Sequence, residues 1–257
     1  MSGWTAHQAA VTLAAPDHGA AVAAYSRLFG PGSAMAPAEH QWQVGSTRLV
    51  VRASAVDGED RPRILIPVRD LVDPATPDVY TTVVTLLERR SCVLRPDAQI
   101  GDARTGVVEG LPVGVVDAAA LPRLPSGDAT EIGALDHVVV NSPSRDAALA
   151  LFGAVLGFDF RLEQRMSLPN LGDVHQLFLR GAGTIVEVLV NEAGDPAISL
   201  WGLAWTSADI DASHARLAGA GTDLSPIRNG HKRGTRVFTV RDDALILPTI
   251  VIGHDET

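Results

Sequence analysis

The chain has 257 residues, of which 46% are hydrophobic and 20% charged; that is ordinary globular composition and excludes a long disordered tail. Its formal net charge of −9 comes without a basic stripe, which argues against nucleic acid and anionic membrane surfaces as partners. No apolar run approaches the ~18 residues of a membrane-crossing helix, and Cys92 is the only cysteine, which excludes an internal disulfide and a zinc ribbon.

The first stretch, MSGWTAHQAA, has no basic region followed by an apolar core, so a cytoplasmic protein is expected. Residues 11–30, VTLAAPDHGAAVAAYSRLFG, then align without a gap to residues 138–157, VVVNSPSRDAALALFGAVLG. Val11/Val138, Pro16/Pro143, Ala20/Ala147, Ala21/Ala148, Ala23/Ala150 and Gly30/Gly157 are identical. Each copy predicts a strand, a short turn and a helix. In the second copy Ser142 reads as the N-cap, Pro143 fits the first turn and Gly157 the end. HQWQVGSTRLVV (40–51) and HQLFLRGAGTIVEV (175–188) match in turn, each as two strands around a glycine-containing turn. Two matches in the same order read as a duplication.

Between the copies, RILIPVRDL predicts a strand and DVYTTVVTLLERR (78–90) a helix. Cys92, just past that helix, reads as a small core residue rather than a reactive thiol. SCVLRP, ARTGVVEG and LPVGVVDA predict three short strands. ALPRLPSGDATEIG (120–133), rich in Pro and Gly, reads as the linker between an N-terminal domain, 1–119, and a C-terminal domain, 134–257. In the C-terminal domain SLWGLAWTS (199–207) predicts a strand. Residues 208–221 predict a helix with Ile210, His214 and Leu217 on one face. TDLSPIR, TRVFTVRD and LPTIVIG predict three more strands. The reading is an α+β chain of four βαβββ modules, paired two and two.

Two strands carry a residue that does not suit them. His137 interrupts the apolar ALDHVVVNSP, and Glu187 interrupts TIVEVLV. A buried strand holds such groups only when something pairs with them. Alternation sets His137 with Val139 and Asn141, and Glu187 with Ile185 and Leu189. A turn through RGAGT between Arg180 and Thr184 would put residue 177 opposite 187, and His175 on the face of Glu187. His137, His175 and Glu187 together would suit a divalent ion such as zinc, iron or manganese. His40 holds the matching place in the first copy without a carboxylate, so His175 also reads as a structural residue of the repeat. Trp201 and Trp205 share strand parity with Leu203, either as the aromatic wall of a cavity or as core. The loop RNGHKRGTR (228–236) gathers Arg228, His231, Lys232, Arg233 and Arg236, either as an anion-binding loop or as a solvated hairpin.

The segments LDHVVVNSPSRDAALALFGAVLGF, GTIVEVLV, WGLAWTSADIDASHARLAGAG and GTRVFTVRDDALILPTIVIG resemble the vicinal oxygen chelate superfamily. Its members include glyoxalase I, bleomycin- and fosfomycin-resistance proteins, methylmalonyl-CoA epimerase and extradiol dioxygenases. The resemblance implies two curved mixed sheets of the glyoxalase/dioxygenase-like fold, with metal ligands on the first and fourth strands of each module. On those positions it implies His137 and Glu187 as ligands or catalytic groups. The partner module would add a His and a Glu, but Trp201 and Val251 stand there; Ala10 and Val50 hold the matching places in the N-terminal half. Two ligand-handling functions follow, beside a structural or interaction module that merely uses the fold. One is a lyase, isomerase or dioxygenase that uses a divalent metal (Zn, Fe, Mn or Ni) on a small oxygen-rich or carboxylated metabolite. The other is a metal-free small-molecule-binding protein of the resistance type. Either would act as a monomer or homodimer.

Overall fold

The computed structural model describes residues 9–54, 61–73, 75, 77–96, 104–117, 121, 124, 130–168 and 172–254. The duplication is visible first at the helix starts. Asp17 and Ser144 fall at aligned positions. Each side chain accepts a hydrogen bond from the backbone N–H of the aligned alanine, Ala20 at 2.9 Å and Ala147 at 3.4 Å. The N-cap is therefore Ser144 and not Ser142, whose hydroxyl donates to the Ser144 carbonyl at 2.8 Å instead. Gly30 and Gly157 close the two segments in the left-handed region, at φ 78° and 74°, where a side chain would be strained.

Four βαβββ modules follow along the chain. The first is β1 (Ala9–Ala15), α1 (His18–Phe29), β2 (Ser33–Ala36), β3 (Glu39–Val44) and β4 (Thr47–Ala53). The second is β5 (Arg63–Pro67), α2 (Val79–Arg89), β6 (Leu94–Pro96), β7 (Thr105–Val108) and β8 (Val113–Val116). The third is β9 (Ile132–Ser142), α3 (Arg145–Ala148) with a π-helical continuation over Leu149–Val155, β10 (Asp159–Leu168), β11 (Gly172–Gly181) and β12 (Thr184–Val190). The fourth is β13 (Ser199–Ser207), α4 (Ile210–Gly219), β14 (Arg228–Asn229), β15 (Thr235–Val240) and β16 (Thr249–His254).

Two expected strands are shorter than their apolar runs. RILIPVRDL is extended only to Pro67, then tightens into a 3-10 turn over Val68–Asp70. TDLSPIR is not a strand: Leu224 bridges Val240, and pairing resumes only at Arg228, past Pro226, which has no N–H to give a ladder. The expected linker lies mostly outside the described residues; Ile132 and Gly133 already belong to β9.

The strands form two mixed eight-stranded sheets, ordered β2-β3-β4-β1-β5-β8-β7-β6 and β10-β11-β12-β9-β13-β16-β15-β14. Packing groups the chain into two units: Met1–Val11, Pro62–Pro122 and Val138–Leu200 in one, and Thr12–Arg61, Arg123–His137 and Trp201–Thr257 in the other. In the first unit β12 runs parallel to β9 with Val186 opposite Val138, and Leu177, Leu179, Val186, Val188, Val138 and Val140 are fully buried. In the second, Trp205 is fully buried with its ring 4.7 Å from Phe29 of α1. Ser207 bonds Ser213 of α4 at 2.8 Å, and Ile210 of α4 lies so close to Gly253 that a Cβ there would come within 2.8 Å of it.

Candidate functional site

The β11–β12 hairpin decides which side chains share a face. Its turn has two residues, Ala182 and Gly183, both left-handed at φ 49° and 70°. Gly181 pairs with Thr184, so Phe178 lies opposite Glu187 and Gln176 opposite Leu189. The expected register differs by one residue, and one residue reverses the face of every side chain. His175 therefore stands on the side away from Glu187, and the cluster of His137, His175 and Glu187 does not form. His175 bonds Glu163 at 2.5 Å instead, and Arg145 of α3 bonds the same carboxylate at 2.9 Å. Arg145, and after it His175, holds the Glu163 carboxyl below the usual glutamate range.

On the side that Glu187 does occupy, β10, β11 and β12 each contribute one amide or acid. Gln164 lies opposite Gln176 in the β10–β11 register. The Gln164 amide donates to the Gln176 carbonyl oxygen, and the Gln176 amide donates to the Glu187 carboxylate. This three-strand ladder fixes the rotation of the carboxylate, and Glu187 and Gln164 are only half-buried. Neither glutamine stands out in the sequence, although HQ opens both copies of the hairpin repeat at His40–Gln41 and His175–Gln176.

In the other unit Asp136 accepts from the His137 ring, Nδ1 to Oδ2 at 2.7 Å, and His254 Nε2 lies 3.9 Å from its other oxygen. His137 is 9% exposed. Its hydrogen bond, then the charges of His137, His254 and Lys232, hold the Asp136 carboxyl below its usual value against the pull of burial. Asp136 is a third residue that sequence reasoning passed over, although it adjoins His137 in LDHVVV. In the first unit Val139 faces Glu187 across the β9–β12 pair.

The remaining candidates divide. Trp205 is not the wall of a cavity: it is core, on the side of β13 that packs against α4 and Phe29. Trp201 shares its strand parity and is 37% exposed. Arg236 is bound to Asp211 of α4 at 2.7 and 2.9 Å. Lys232 and Arg233 are exposed between β14 and β15. Cys92 is buried, and burial pushes its thiol up. It lines an apolar recess with Leu87, Leu94, Val113, Leu151 and Val155, which offers no group for acid–base chemistry.

The N-terminal hairpin is not empty of polar groups, as its aligned Val50 had suggested. Arg48 is 1% exposed; its guanidinium donates to Gln41 at 2.8 Å and to Gln43 at 3.1 Å. Gln41 in turn donates to Glu39 at 2.6 Å, and Arg52 pairs with Glu39 at 2.7 Å.

Residues 136–239 match the family model described as the glyoxalase/bleomycin resistance protein/dioxygenase superfamily. They form a domain of that superfamily. Compared by sequence with curated proteins, the chain finds no match. Among solved structures, a mutant of 4-hydroxymandelate synthase from Streptomyces coelicolor is similar to it, with 14% identity and a TM-score of 0.68 over 98% of this chain and 92% of that one. The Mn(II)-bound glyoxalase from Novosphingobium aromaticivorans is similar at 14% identity and a TM-score of 0.68, over 97% of this chain and 82% of that one. At such identities the likeness shows the fold. It extends the glyoxalase/dioxygenase-like fold beyond the superfamily domain to both halves.

A metal in that relative raises the question of whether these residues would hold one. Among the described residues no three His, Cys, Asp or Glu side chains are placed so that they could hold a metal ion. The ladder neighbours of Glu187 are carboxamides, which are poor ligands for zinc or iron, and the His175 imidazole is on the other face. The Glu187 ladder therefore offers a divalent ion a single carboxylate, and its amides do not complete a ligand set. No helix of the described residues is long and apolar enough to cross a membrane.

Proposed function

We propose that the chain is a glyoxalase-like protein that takes a small oxygen-rich or carboxylated metabolite, with Glu187 as the group that accepts a hydrogen bond or a proton from it. The observation that carries this reading is the Gln164–Gln176–Glu187 ladder on the half-exposed side of β10–β12. Three polar side chains on adjacent strands are bonded into one line that leaves its carboxylate half-exposed, where a ligand can reach it. Gln176 holds one carboxylate oxygen, so the group is oriented before a ligand arrives. His137, with Nδ1 tied to Asp136, is a separate candidate group of fixed tautomer, and Lys232 and Arg233 are separate candidate contacts for an anion; neither is part of the Glu187 ladder. The site belongs to the C-terminal domain, 134–257, and the N-terminal domain is degenerate.

The alternative is the metal-assisted enzyme, a lyase, isomerase or dioxygenase with His137 and Glu187 as ligands. One experiment separates the two. Untagged protein is analysed for bound metals, then titrated with a panel of hydroxy and keto acids, following tryptophan fluorescence, with and without chelator. A ligand that binds equally with chelator present, and at least about tenfold more weakly to Glu187→Gln, is the expected result, since a charge-assisted hydrogen bond contributes ~1.5–3 kcal/mol. Stoichiometric metal with binding lost to chelator would establish the alternative. Equal affinity in Glu187→Gln would overturn both.

A further inference from the structure

Each sheet has two outer strands, and three of these four edges are short: β2 has 4 residues, β6 has 3 and β14 has 2. Short edges give another chain little to pair with. The fourth edge, β10, has 10 residues, DFRLEQRMSL. Phe160 and Leu162 on it are 46% and 49% exposed, and Arg161, Glu163 and Arg165 are exposed as well. Among the described residues nothing pairs with its outer side.

An edge carrying one sign of charge would repel a second copy. This one alternates: Asp159, Arg161, Glu163, Arg165. We propose that β10 is a dimerisation edge, pairing antiparallel with β10 of a second copy about a two-fold axis at Gln164. In that register Glu163 faces the partner's Arg165, and the symmetry repeats the pair. Gln164 faces its own copy. Opposite charges directly across a strand pair attract and like charges repel, at ~0.2–1 kcal/mol each.

The neighbouring registers fail. Centring on Glu163 sets glutamate against glutamate and Arg161 against Arg165. Centring on Arg165 sets arginine against arginine. Centring on Leu162 would also match charges, but it runs the new ladder through the irregularity between Phe160 and Leu162, where pairing is broken. Only a second copy supplies this self-complementarity, and the pairing does not depend on the ligand reading above. A strand pair alone covers less than the ~1,200 Å² of a standard stable interface, so the dimer is concentration-dependent.

The test uses the untagged full chain in sedimentation over a range of concentrations. The expected result is a reversible dimer of twice the 27.0 kDa chain mass. Arg165→Glu should weaken it about tenfold, since two attractions become two repulsions. The double variant Glu163→Arg with Arg165→Glu should restore it, because the charges exchange places. Should loss of the Glu163 contacts to Arg145 and His175 unfold that variant, cross-linking decides. A cysteine replacing Gln164 should oxidise to a linked dimer, because facing Cα atoms at ~4.5–5.5 Å lie within disulfide reach. A cysteine replacing Glu163 should not. A monomer at every concentration, or equal cross-linking at both positions, overturns the proposal.

Discussion

The β3–β4 and β11–β12 hairpins are copies of one unit with opposite charge on the polar side. In the first, a cation is sealed: Arg48 and Gln41 have 1% and 0% of their surface exposed, and the guanidinium is shared by two glutamines. In the second, an anion is left half-buried, and Glu187 is held by one glutamine that a second glutamine holds in turn. Each copy of the hairpin repeat opens on a His-Gln pair, and its glutamine, Gln41 opposite Val50 or Gln176 opposite Leu189, holds the charge. The duplication has kept the scaffold amide and changed what it holds. A charge buried behind its partners contributes to folding and is lost to solution chemistry; one left at the surface of a sheet contributes little to folding and can meet a ligand.

The largest effect that would break this contrast is on stability. Arg48→Met leaves the Gln41 and Gln43 carbonyl oxygens without their donor inside a buried network, and should lower unfolding free energy by about 2–4 kcal/mol. The urea midpoint measures it. A loss below ~1 kcal/mol would mean that Arg48 is not a structural group and that the two hairpins do not differ as described. Glu187→Gln is the matching change in the other copy. It keeps shape and partner geometry at a half-exposed site, so stability should stay within ~1 kcal/mol of the parent. A loss as large as that of Arg48→Met would make Glu187 structural, and the ligand reading would lose its support.

How far the sequence leads depends on what each residue signals. The modules, their helices and the glycines that end the repeat segments are legible because a period of 2 or 3.6, a cap and a left-handed stop are local properties. The register of β11–β12 is not. A two-residue turn over Ala182–Gly183 needs a left-handed alanine, which propensity argues against, and the longer turn that propensity prefers puts His175 on the wrong side. Parity groups Trp201, Leu203 and Trp205 on one side of β13, but which side is buried is set by Phe29, 176 residues before Trp205 in the chain. The ladder is missed for a different reason: glutamine carries no charge and has no strong positional preference, so Gln164 and Gln176 acquire meaning only once the strands are side by side. His137 and Glu187 are legible as misfits, while Asp136, which bonds His137, sits in a position that alternation would point elsewhere.

The smallest expected effect compares the two equivalent histidines through pH. His40 stacks on Trp42, with ring centroids 4.7 Å apart, and burial, with His18 adding to it, lowers its pKa below the ordinary 6.5. Unfolded His40 then binds a proton more readily than folded His40, so its contribution to stability is intact above 6.5 and declines as pH falls through that value. His40→Phe keeps an aromatic ring beside Trp42 and should flatten the slope of urea midpoint against pH between about 7.5 and 5.5. His175 is bonded to Glu163, and here the folded pKa that is depressed is the carboxylate's. The stability it contributes is therefore present above the ordinary glutamate value of 4.5 and is lost as pH falls below it. Glu163→Gln should flatten the curve only in that acidic range. One copy thus gives a neutral-pH slope through His40, and the other an acid-pH slope through Glu163, which Arg145 and then His175 hold. An unchanged curve for His40→Phe, or a flattening near neutrality for Glu163→Gln, would overturn the contrast drawn from their contacts.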